Sequence, residues 1–90
     1  MIRWHKIRER FAYGYRAVLG TRGVEVYRTD GRWHVFPQRD GRTVWCGAAP
    51  DYQRDRHDFR TFSGAKRAAT DYLRTGRYFG TDLDALPLAK

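Results

Sequence analysis

Apolar and polar positions alternate with period two through VEVYRTDGRWHVFPQRDGRTVWC, residues 24–46, in three short runs separated by Asp30-Gly31 and Asp40-Gly41. Asp-Gly pairs in this setting predict two-residue hairpins, because both central positions of a type I′ turn need positive φ. Each turn fixes a register. The first sets Thr29 opposite Arg32, hence Val26 opposite Val35 and Tyr27 opposite His34; the second sets Arg39 opposite Arg42, hence Pro37 opposite Val44 and Phe36 opposite Trp45. Side chains alternate across a strand, so these registers divide the sheet into two faces. Val24, Val26, Trp33, Val35, Pro37, Val44 and Cys46 form the expected core face, with Arg28, Arg39 and Arg42 at its margins. Glu25, Tyr27, Thr29, Arg32, His34, Phe36, Gln38, Thr43 and Trp45 form the other, where aromatic, cationic and hydrogen-bonding groups mix.

Around this sheet the patterning is helical or irregular. Trp4, Ile7 and Phe11 recur at helical spacing among basic residues and predict a short N-terminal helix over 1–12, covering a sheet edge or one end of the core; the alternative is a basic arm. YGYRAVL, 13–19, alternates as a fourth strand, and GTRG at 20–23 turns it back so that Leu19 meets Val24. That places Tyr13, Tyr15, Ala17 and Leu19 on the core face and Arg16 on the outer one. A helix continuing through Val18 competes, at a cost of roughly 1 kcal/mol for an interior Gly14. Residues 47–60 read as a long polar loop. The main helix is expected over 61–76, capped by Ser63 or Thr61 and ended by Gly76, with Ala65, Ala68, Ala69, Tyr72 and Leu73 on its buried stripe. The tail, 77–90, packs back on the domain or joins a second copy as a homodimer. The expected fold is α+β: one domain, 1–90, with a three- to four-stranded antiparallel meander on one C-terminal helix and a short N-terminal helix.

Composition changes the picture mainly through charge. Ninety residues allow one modest core, and 18 basic against 10 acidic residues give +8, with 15 of the basic residues arginine. Such a balance favours a polyanionic partner, since each neutralised phosphate releases counterions. The single cysteine, Cys46, excludes an intrachain disulfide and reads as a core thiol. MIRWHKIRERF lacks an apolar signal-peptide core, and no run approaches the ~18 apolar residues of a spanning helix, so a cytoplasmic or nucleoid-associated location is expected and no membrane partner. His57 between Asp55 and Asp58 has no partner ligand at metal spacing. No nucleophile-base pair, paired carboxylates or glycine-rich phosphate loop can be assembled, so neither an enzyme nor a cofactor is expected.

Arg22-Gly23-Val24, Gly31-Arg32-Trp33, Val44-Trp45-Cys46-Gly47, and Phe62 with Ala65, Ala68, Ala69 and Tyr72 resemble the plant ethylene-response-factor (APETALA-type) DNA-binding domain and its relatives in phage integrases and homing endonucleases. The resemblance covers about residues 22–73. It implies a three-stranded sheet packed on one helix, with the outer sheet face in the DNA major groove. The family's contact positions fall on Arg22, Glu25, Tyr27, Arg32, Phe36, Gln38, Thr43 and Trp45; where the family favours arginine, this chain has glutamate, tyrosine, glutamine and threonine. With Arg16 and His34 from the register, the expected nucleic-acid-binding set is Arg16, Arg22, Tyr27, Arg32, His34, Phe36, Gln38, Thr43 and Trp45. Double-stranded DNA is the expected partner of a small non-enzymatic, transcription-regulating or phage-type protein. RNA or single strands, stacked on the sheet aromatics, and a host protein docked on the same face are the alternatives.

Overall fold

The computed structural model describes residues 2–8, 13–44 and 58–88. Five strands follow one another in space as in sequence: β1 (His5–Arg8), β2 (Tyr13–Leu19), β3 (Arg22–Thr29), β4 (Arg32–Arg39) and β5 (Arg42–Thr43), all antiparallel. A sixth, β6 (Asp58–Phe59), pairs with the far end of β4, Trp33 opposite Phe59 and His34 opposite Asp58. Helix α1 (Phe62–Thr75) covers one face, followed by a small hairpin of β7 (Arg77–Tyr78) and β8 (Thr81–Asp82) and a 3-10 turn, Leu83–Ala85.

Both Asp-Gly turns adopt the conformation their sequence demands, with Asp30 and Gly31 at φ 53° and 76° and Asp40 and Gly41 at 54° and 77°. The registers follow: Thr29 faces Arg32, Val26 faces Val35, Tyr27 faces His34 and Arg39 faces Arg42. The turn before β3 is tighter than the GTRG reading. Leu19 faces Arg22, not Val24, across a two-residue loop whose first position, Gly20, has φ 65°, the II′ pattern. A displacement of two residues preserves the alternation, so Ala17 still lies on the core face, opposite Val24.

Residues 5–8 correct the expected N-terminal helix. They form an edge strand on β2, His5 opposite Arg16 and Arg8 opposite Tyr13. The helical spacing of Trp4 and Ile7 is outweighed by the open edge of β2, whose unpaired backbone groups the segment satisfies. Trp4 packs on the helix side, its ring edge-on to Phe62 at 6.4 Å. The 47–60 loop is shortened at its end, because Asp58 and Phe59 belong to β6; Trp45, Cys46 and residues 47–57 lie outside the described residues.

α1 begins at Thr61, whose hydroxyl accepts from the Gly64 N–H at 3.1 Å. It ends at Gly76, φ 77°, whose N–H donates to the Tyr72 carbonyl. Ala65, Ala69, Tyr72 and Leu73 are buried against Ala17, Val24, Val26, Val35 and Val44. The small alanines bring the helix close to the sheet, and the Tyr72 hydroxyl donates to the Gln38 carbonyl at 2.6 Å. At one end of this layer Phe62 gathers Tyr15 at 4.7 Å and Trp33 at 4.9 Å. The tail packs back on the domain: Tyr78 and Leu83 are buried in the same core, and Val44 forms a bridge with Leu88.

Candidate nucleic-acid interface

Register assigns every described outer-face side chain a place in a grid, because directly opposed residues share a face. One row runs Ile7, Gly14, Tyr27, His34, Asp58; the next His5, Arg16, Glu25, Phe36; the third Val18, Gly23, Gln38, Thr43. Thr29 and Arg32 close one end. No described element packs on this side, and Phe36 stands 43 % exposed near the middle of the sheet. Its ring meets Tyr27 at 6.1 Å and 64°. These two rings offer flat apolar surface where a sheet face would otherwise be only polar.

Seven of the nine residues expected to bind nucleic acid are described on this face: Arg16, Tyr27, Arg32, His34, Phe36, Gln38 and Thr43. Trp45 lies outside the described residues. Arg22 is on the opposite face, since it shares its alternation with Val24 and Val26. Its guanidinium binds Asp84 at 2.6 Å and reaches the Leu73 carbonyl at 3.3 Å. Arg39, directly across from it, donates to the carbonyls of Leu83, Asp84 and Leu86. The pair clamps the 3-10 turn to the sheet. Hydrogen bonding from Arg22 holds the Asp84 carboxyl below the usual carboxylate range, and desolvation opposes this without cancelling it. Arg22 is therefore occupied in holding the fold.

Three residues of the face escaped the sequence reading: His5 and Ile7, brought in by the edge strand, and Asp58, brought in by β6. Asp58 accepts a hydrogen bond from Arg32 Nε at 2.7 Å, and Glu25 accepts from Gln38 at 3.1 Å. The side chain of Arg16, which opposes both His5 and Glu25 in register, has no hydrogen-bond or ion-pair partner among the described residues. Arg16 and Arg32 balance Glu25 and Asp58, so the formal charge of the described face is zero with histidine neutral. The chain's excess positive charge therefore lies elsewhere. Among the described residues no three His, Cys, Asp or Glu side chains converge on a metal site, and no helix is long and apolar enough to cross a membrane.

No family model, curated protein or solved structure matches this chain, so the likeness in its Arg22-Gly23-Val24 and companion motifs places it in no family.

Proposed function

We propose that the chain is a non-enzymatic nucleic-acid-binding domain that lays the open face of β2, β3 and β4 against duplex DNA. The observation that carries this is the aromatic pair Tyr27–Phe36 on a face that no described element covers, ringed by Arg16, His34 and Gln38. Three strands at about 4.8 Å spacing span roughly 10 Å, which suits a major groove about 12 Å wide. Arg16 serves as the free phosphate or guanine contact, Gln38 and Thr43 as polar base contacts, and Tyr27 and Phe36 pack on sugars or thymine methyls. Arg32 joins once it exchanges Asp58 for a phosphate, a small cost because such an exposed pair contributes about 0–1 kcal/mol. Two arginines on the face imply a slope near about −2 for log affinity against log salt. A salt titration with random duplex tests this: Tyr27→Ala with Phe36→Ala should weaken binding about tenfold or more at one salt concentration while leaving the slope in place. Equal affinity of the double variant and the wild type would overturn the assignment.

The cancelling charges of the face favour a second reading, in which Tyr27 and Phe36 anchor a protein partner. In that case Tyr27→Ala with Phe36→Ala leaves duplex affinity unchanged at low salt.

A further inference from the structure

Besides Arg16 on the open sheet, cations that the fold leaves without an ion pair gather on α1, on the side of the domain away from that sheet. Lys66, Arg67 and Arg74 are exposed on α1 against Asp71 alone, three minus one giving +2, and exposed Arg60 and Arg77 flank the helix. None of the four guanidinium groups has a hydrogen bond or ion pair among the described residues. Ser63, Arg67, Thr70 and Arg74 follow i, i+4, i+7, i+11 spacing and so form one stripe, about 16 Å long at 1.5 Å per residue. Lys66 lies beside it, its ammonium steadied over the Trp4 and Phe62 rings at 5.8 and 6.0 Å. Hydroxyls interleaved with guanidinium and ammonium groups are the side chains that contact phosphate and sugar without reading bases.

The buried stripe Ala65, Ala69, Tyr72 and Leu73 turns toward the sheet, so the cationic stripe faces the opposite way. The sheet itself and a helix thickness of about 10–12 Å separate the two surfaces. A duplex lying on the open sheet is out of reach of Arg67 and Arg74. We propose that the solvent face of α1 grips the phosphate backbone of a separate duplex, so that one molecule bridges two duplexes. The bridging rests on the sheet-face proposal above, whereas the phosphate surface on α1 stands without it.

The test is capture of a fluorescent random duplex by a bead-bound random duplex, mediated by the full chain. Wild type captures. Lys66→Gln/Arg67→Gln/Arg74→Gln keeps its affinity for a single duplex within about threefold yet loses capture at least about tenfold, and the log–log salt slope of capture flattens by about 3. Arg67→Lys/Arg74→Lys retains capture, which separates charge from folding. Capture by the glutamine variant equal to wild type overturns the α1 surface. Normal capture by Tyr27→Ala/Phe36→Ala, with loss in the helix variant, overturns the sheet reading and the two-faced bridge while leaving phosphate binding to α1. Retention of no duplex by the wild type overturns both proposals.

Discussion

Gly14 and Gly23 stand on the same open face, both buried and both in strands, yet a methyl group added to each meets different surroundings. A Cβ on Gly14 would fall inside the van der Waals envelope of the Val26 carbonyl oxygen and 3.0 Å from the Tyr27 Cα, both backbone atoms of the paired strand. A Cβ on Gly23 would find Gln38 Oε1 at 3.5 Å and Val18 Cγ2 at 3.6 Å, ordinary contact distances. Forcing atoms into a filled space costs about 1–3 kcal/mol where side chains can move. Here only backbone can move, so Gly14→Ala is expected at or above the top of that range, about 3 kcal/mol. For a domain of this size each kcal/mol shifts Tm by roughly 4–8 °C, giving a fall of about 12–24 °C. Gly23→Ala should lie between neutral and about 1 kcal/mol stabilising, since alanine restricts the unfolded chain. Thermal unfolding followed by circular dichroism measures both. Equal Tm values for the two variants would refute the close approach of β2 to β3 at Gly14.

Three further outcomes follow from particular contacts. Tyr72→Phe removes the hydrogen bond to the Gln38 carbonyl from a fully buried ring and should cost about 1–2 kcal/mol in urea unfolding. The Asp84 carboxyl has its folded pKa lowered, first by hydrogen bonding from Arg22, so its contribution is complete above the unfolded value and is lost as pH falls through the lower folded one. Asp84→Asn should therefore lower Tm at neutral pH by less than about 1 kcal/mol equivalent, the pair being partly exposed, and the difference from wild type should shrink as pH falls below the usual carboxylate range. Asp58→Asn removes a carboxylate from the open face and releases Arg32, so duplex affinity at low salt should rise roughly three- to tenfold in fluorescence anisotropy; unchanged affinity would place the duplex away from β4 and β6.

The central sheet was legible because its signals are local. Asp30-Gly31 and Asp40-Gly41 tolerate little besides a two-residue I′ turn, and from them the partners of β3 and β4 follow residue by residue. The helix was equally plain, with Thr61 and Gly76 at its ends. What escaped depends on distant partners. β1 is a strand because β2 offers an open edge, and β6 exists because β4 outruns the short β5; neither edge is visible in the residues that fill it. The β7–β8 turn places Phe79 at φ 50°, a conformation that a bulky side chain resists, so Gly80 beside it at φ 83° did not suffice to announce a hairpin. Its ring stacks on Phe59 at 6.1 Å, a contact between segments far apart in sequence. Arg22 was the opposite case: its alternation with Val24 and Val26 already marked the inner face, and the family likeness outweighed that signal.

The claim that the sheet has one dry side and one side for a partner is met most directly by amide chemical-shift mapping with duplex DNA. The Lys66→Gln/Arg67→Gln/Arg74→Gln protein should be used, so that only the sheet can respond. Shifts concentrated at Arg16, Tyr27, His34, Phe36 and Gln38, growing as salt is lowered, are the predicted result. Shifts confined to residues 61–76, or none at low salt, would contradict it.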